Sequence, residues 1–164
     1  MFVRPGIPEL VRDRVVPAAD LVTPNHFELD YLAGTTTTTL TGLLAAADGV
    51  RATGPGTVLV TSVAVDDTPP GSLDLVAVGV DGAWRVRTPR LALSPQGAGD
   101  LTAAVFLANL LEARPLADAL ARTASSVFAV VETTLRLGSP EMSIVAAQDR
   151  IADPAVEFPV ERLR

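Results

Sequence analysis

Residues 94–111 read "SPQGAGDLTAAVFLANLL". Gly97 and Gly99 flank Ala98, Asp100 follows at once, and an apolar run begins behind it. The spacing predicts a loop that turns into a helix over about 100–113, apolar nearly all round and therefore expected to be buried. A helix N-terminus leaves its first amide N–H groups unpaired and carries partial positive charge. Glycine lets a bound group come close to those amides, so such a loop can cradle a phosphate. A bare carboxylate repels phosphate. Asp100 makes chemical sense there if it faces a hydroxyl and takes its proton while the amides stabilise charge on a transferred phosphoryl group. The competing reading is local, because aspartate is a preferred N-cap and glycine turns before helices are common.

Upstream of this loop the chain alternates between strand and helix patterns. Residues 7–15 form a short helix with Pro8 in its first turn, and 21–23 a short buried strand ended by Pro24. "HFELDYLAG" is a helix stopped by Gly34. The five threonines at 35–39 are β-branched and make a loop leading into a helix, a solvated one as low-complexity runs usually are, the alternative being a run that binds phosphate through its hydroxyls. Leu40, Leu43, Leu44 and Ala47 mark the apolar face of the next helix. Residues 57–65, "TVLVTSVAV", are a strand, and 73–88 a hairpin whose Asp81-Gly82 pair supplies positive φ. Trp84 and Val86 alternate with Arg85 and Arg87, which makes one face of that strand wet. Downstream, a helix from Pro115 to about Leu137 carries the stripe Leu116, Leu120, Ala124, Val127, Val131 and Leu135, and Gly138 closes it. A last helix covers 141–151, followed by an extended tail. The alternation points to a parallel-type sheet covered by helices on both faces, in a single unit without repeats or linkers.

A second constellation lies in "TPNHFE". Asn25 and Glu28 are three residues apart at a helix start, on one side of its first turn. An amide and a carboxylate there can hold the water shell of Mg²⁺, or simply cap the helix. Both motifs follow predicted strands, and in open α/β sheets ligands bind at the carboxyl ends of strands. His26, the sole histidine, reads as a core-edge or surface residue. A hydrolase triad is disfavoured, since no G-x-S-x-G elbow is present.

Composition sets the outer bounds. The chain has 164 residues, 48% hydrophobic and 20% charged, enough for one globular domain with a core. The net charge of −6 argues against nucleic acid as a partner. No cysteine is present, which excludes disulfides and thiolate metal sites and fits a cytosolic location. No apolar run reaches the ~18–20 residues of a membrane span, and residues 1–14 lack the apolar core of a secretory signal.

The stretches "VPAADLVTPNHFELDYLAG" (16–34), "VLVTS" (58–62), "GAGDLTAAVFLANLL" (97–111) and "IVAAQDRIADP" (144–154) together resemble bacterial pyridoxal kinases of the ribokinase-like superfamily. Sugar kinases of that superfamily usually carry Asp-Thr where this chain has Pro95-Gln96. Hydroxymethylpyrimidine kinases usually carry cysteine at the position of Asp100. The resemblance implies a three-layer α/β/α sandwich and ATP-dependent phosphorylation of the 5′-hydroxyl of pyridoxal. It implies Asp100 as the base on that hydroxyl and Gly97, Ala98 and Gly99 as the anion hole. It places Thr23, Glu28, Thr61 and the segment Leu93, Ser94, Pro95, Gln96 along ATP, and Asn25 with Glu28 near Mg²⁺ through water. It also implies a cytoplasmic homodimer. Family members have a long segment before the position of Phe2, so the expectation is one domain over 1–164, truncated at its N-terminal side and inactive alone. The alternatives are a hydroxymethylpyrimidine or sugar kinase, or a non-catalytic remnant that binds nucleotide or a partner.

Overall fold

The computed structural model describes residues 4–93 and 95–164. Five strands form one sheet in the order β1 (Leu21–Val22), β2 (Thr57–Val63), β3 (Ser72–Gly79), β4 (Gly82–Pro89), β5 (Val160–Arg162). β1 and β2 are parallel, whereas β2–β3, β3–β4 and β4–β5 are antiparallel. The sheet is therefore mixed rather than parallel-type. The hairpin inverts β3, and the tail expected to be merely extended returns as β5 along β4. As a result β1, β2 and β4 point the same way, and their carboxyl ends share one edge.

Alternation along the strands splits the core in two. Val58 and Val60 of β2 and Val76 and Val78 of β3 face α2 (His26–Ala33) and α3 (Leu40–Arg51), meeting Leu29, Leu43, Ala47 and Val50. Leu59, Ala77 and Val86 face the other way, against α4 (Ala98–Leu111) and α5 (Leu116–Leu137), meeting Phe106, Ala119, Leu120 and Ala124. Helices thus cover both faces, as the three-layer expectation requires.

Local chemistry sets the helix ends. Asn25 and Glu28 close a reciprocal capping box on α2, and Gly34 ends it at φ 66°. Thr39 caps α3 by accepting from the Gly42 N–H. The threonine loop is more ordered than a solvated run. Thr37 is buried, and both its N–H and its hydroxyl donate to Asp30 Oδ1, at 3.1 and 2.8 Å. That hydroxyl proton is spent on Asp30, so His26 Nε2–H is the donor in its 2.8 Å contact with Thr37 Oγ1. His26 Nδ1 accepts from the Ala64 N–H at 3.5 Å. The histidine is a core-edge tie between α2, the threonine loop and the end of β2.

Several local expectations are corrected. The first helix is α1 (Ile7–Leu10), continued by a wider turn at Val11–Val15 and a tighter one at Val16–Ala18. The hairpin loop is Val80-Asp81, because Gly79 and Gly82 pair with each other. The positive φ falls on Gly82, at 142°, where a Cβ would sit 2.5 Å from the Arg164 carbonyl oxygen. Close approach of the tail, not turn geometry alone, demands that glycine.

The Arg85/Arg87 face is not wet. Arg85 is buried and donates to Asp67 and Glu161, while Arg87 grips the fully buried Asp74 at 2.7 and 2.8 Å. Burial opposes the charge on Arg85, but hydrogen bonds to Asp67 and Glu161 outweigh it and push that guanidinium's pKa up; the bond to Asp74 raises that of Arg87. The last helical segment is shorter than expected, at Val145–Ala147 and α6 (Gln148–Ala152).

α4 departs most from expectation. It packs on α5 and on no strand to a similar extent. Only Thr102, Phe106 and Asn109 are buried, while Leu107 is 46% and Leu111 78% exposed. Its uniform apolarity did not mean burial on every side within this chain.

Candidate functional site

The carboxyl ends of β1, β2 and β4 converge at one edge of the sheet, where Thr23, Asn25 and Glu28 line one hollow with Ile7 and Tyr31, and Thr61, Leu93, Pro95, Ala98 and Gly99 line another. Past β1, the chain passes Thr23 and Pro24 to Asn25, which pairs as an isolated parallel bridge with Thr61. The Thr61 N–H donates to the Pro24 carbonyl at 2.9 Å. The two sequence motifs "TPN" and "VLVTS" are therefore neighbours across β1 and β2.

Immediately after Thr61 the β2–β3 register slips between Val60 and Val63. Ser62 takes φ +54°, an uncommon conformation for a residue that is not glycine. The bulge turns Ser62 outward between two hollows. One, of about 430 Å³, is lined by Asn25, His26, Phe27, Asp30 and Ser62. The other, of about 650 Å³, runs from Thr61 and Ser62 past the loop after β4 to the start of α4.

The larger cleft gathers Thr61, Leu93, Pro95, Ala98 and Gly99 among its walls. Ser94 lies outside the described residues. Gln96 and Gly97 are exposed beside the cleft rather than in its lining. Val127 and Val131, expected as core positions of the α5 stripe, instead form an apolar wall of this cleft with Phe128. Leu120 and Ala124 of the same stripe do reach the core, and Leu135 is exposed. Helical spacing alone does not distinguish a side chain packed on the core from one lining an open groove.

At the mouth of α4, Gly97 is the N-cap at φ 86°, with no side-chain cap. The first helical bond runs from the Leu101 N–H to the Gly97 carbonyl. The amides of Ala98, Gly99 and Asp100 are left without a helical acceptor. A Cβ on Gly99 would meet nothing within 4 Å, and Gly99 has ordinary helical φ. Neither backbone conformation nor this chain's packing requires glycine there, so it leaves the amide approach open.

Asp100 is not the N-cap. It is the third residue of the helix, exposed, and it makes no hydrogen bond or salt bridge among the described residues. The local capping explanation for Asp100 therefore fails.

The Asn25–Glu28 pair behaves differently. Asn25 Oδ1 accepts from the Glu28 N–H and Glu28 Oε2 from the Asn25 N–H, each at 2.9 Å. Glu28 Oε1 keeps its lone pairs. Among the described residues no group of three acidic or histidine side chains is arranged to hold a metal ion directly. The remaining carboxylate oxygen beside the Asn25 amide fits a hydrated cation held through its waters.

Two residues near this edge escaped sequence reasoning. Ser62 sits inside an apolar run with no mark of the bulge. Arg90, which lines the cleft just past β4, lies outside every motif.

A family model described as pfkB family carbohydrate kinase matches residues 3–141. Pyridoxal kinase PdxY of Rubrobacter xylanophilus is 56% identical over 163 residues, covering 99% of this chain and 56% of the relative. Pyridoxal kinase PdxY of Leifsonia xyli is 48% identical over 162 residues, covering 99% of this chain and 57% of the relative. The chain thus spans little more than half the length of these curated relatives. The crystal structure of Plasmodium falciparum PdxK with ligands AMP-PNP and PL superposes at a TM-score of 0.87 and 19% identity, over 100% of this chain and 56% of that one. At that identity the likeness speaks for the fold, and it bears out the ribokinase-like α/β expectation.

Proposed function

The chain belongs to the pfkB carbohydrate kinase family, and we propose on that basis that it carries the nucleotide side of a pyridoxal kinase. Such an enzyme moves the γ-phosphoryl group of ATP to the 5′-hydroxyl of pyridoxal. One observation carries the reading: an unbonded, exposed carboxylate, Asp100, stands in the same helical turn as Ala98 and Gly99, whose open amides lie in the lining of a cleft that Thr61 and the loop after β4 also form. Identity of 56% to a curated pyridoxal kinase supports the choice of substrate.

In this reading Asp100 takes the proton of the alcohol as its oxygen attacks the γ-phosphorus. The bond from that phosphorus to the bridging oxygen breaks, and ADP leaves. The amides of the Gly97–Gly99 turn face the charge that gathers on the transferred group. Thr61 donates its hydroxyl to the phosphate chain, and Thr23 lies near the nucleotide. Leu93, Ser94, Pro95 and Gln96 run along it. Glu28, with Asn25, would hold Mg²⁺ through water, and the cation would neutralise phosphate charge. A cytoplasmic homodimer completes the reading.

The test joins this chain to the part of the Rubrobacter xylanophilus relative that it does not cover. Pyridoxal phosphate formation from ATP is then measured beside hydroxymethylpyrimidine and ribose as competing acceptors. Turnover of pyridoxal above both is the expected result. Phosphorylation of ribose or the pyrimidine alone would replace the substrate.

A further inference from the structure

The larger cleft has a wall suited to a base and a mouth suited to phosphates, yet almost no charge. Its lining is apolar side chains, hydroxyls and backbone, and Arg90 is the one charged side chain among the described residues that form it. A nucleoside triphosphate brings several negative charges into a protein whose own net charge is −6. The open amides of a helix end offer only about half a unit of positive charge.

The two arginines before Arg90 on the same strand are spent. Arg85 is held by Asp67 and Glu161, and Arg87 by Asp74. Arg90 is exposed and makes no salt bridge or side-chain hydrogen bond among the described residues. Its backbone is nevertheless fixed. Pro89 ends β4, and the Arg90 N–H donates to the Gly71 carbonyl at 2.8 Å. A free guanidinium thus springs from an anchored point on the cleft wall, within the same lining as Thr61, Ser62 and Gly99.

We infer that Arg90 is a further binding residue of this cleft, pairing with the polyphosphate of the nucleotide. This rests on the kinase reading above and adds to it the cation that the sequence motifs do not supply. Guanidinium suits the task because its planar fork binds two phosphate oxygens at once.

The experiment uses the 164-residue protein itself. Calorimetric titrations with ATP, ADP and adenosine are run on the unaltered chain, Arg90→Ala, Arg90→Lys and Arg90→Glu, with circular dichroism melts as the fold check. Arg90→Ala is expected to weaken ATP and ADP by about tenfold, the usual share of one charge-assisted contact. Arg90→Glu weakens them further, Arg90→Lys recovers part of the loss, and adenosine is unaffected. Affinity for ATP in the unaltered chain also falls with salt more steeply than in Arg90→Ala. Unchanged ATP affinity in Arg90→Ala overturns the inference and leaves the kinase reading standing. An equal loss for adenosine overturns it too, since the contact would then be to the base. If the unaltered chain binds neither ATP nor ADP, the role of Arg90 falls, while the kinase reading stands or falls by turnover of the joined protein.

Discussion

Asp100 and Gly99 sit one residue apart in the first turn of α4, and structure separates their roles from helix stability. Asp100 caps nothing and is exposed, so Asp100→Asn should cost stability no more than the ~0.3–1 kcal/mol that a first-turn carboxylate gains from the helix dipole. In the protein joined to the uncovered part of the Rubrobacter relative, turnover should fall by ~10²–10⁴-fold, the usual share of a general base, with little change in ATP affinity. A variant that keeps most of its turnover removes Asp100 from the chemistry. Gly99 gives the complementary signature. It has ordinary helical φ and open space where a Cβ would go, so Gly99→Ala should raise helix stability by about 0.5–1 kcal/mol. The same methyl stands over the open amides and should weaken ATP binding. Equal ATP affinity with raised stability would show that no ligand approaches that turn.

At the scale of elements, the hairpin is tied by charge as well as by its ladder. Asp74 is fully buried and holds Arg87 through two bonds, with Thr68 donating a third. Asp74→Ala would leave Arg87 with only the Asp67 backbone carbonyl at 3.1 Å and its carboxylate at 3.9 Å, and remove the carboxylate 3.6 Å from the buried Arg85. The expected cost is about 3–5 kcal/mol, read from urea unfolding. A loss under about 1 kcal/mol, the size of a surface pair, would mean that water replaces the carboxylate. This network also marks where sequence reading stopped. Helices α2, α3 and α5 were legible because Asn25, Gly34 and Gly138 punctuate apolar periods that burial then used. The anion loop and the Asn25–Glu28 pair were legible because their spacing is local. Arg85 looked solvent-facing, since alternation reports which face a side chain takes and not what Asp67 and Glu161 bring to cover it. The pairing of Asn25 with Thr61, the Ser62 bulge and the place of Arg90 depend on residues tens of positions apart, and no local pattern encodes them.

For the whole molecule, the distribution of apolar surface is uneven. Ile7, Leu10, Val11 and Val15, preceding β1, are 38–56% exposed, and among the described residues β1 pairs on one side only. Leu107 and Leu111 add a second bare face on α4. Open strand edges and apolar patches recruit other chains. The purified protein is therefore expected to self-associate, with a mass above the 17.1 kDa of one chain by light scattering. A monodisperse monomer at tens of micromolar would show that these faces are harmless. The opposite side of the sheet behaves differently. β3 and β4 pair residue for residue from Ser72↔Pro89 to Gly79↔Gly82, with a strand on either flank and helices above and below. Local opening starts where contacts are sparse, so β1 frays first and the hairpin closes the sequence of openings. Amide protons near Val76 and Val86 should outlast those of β1 in deuterated water, so that the slowest clock in the molecule lies in the strands joined by the shortest loop.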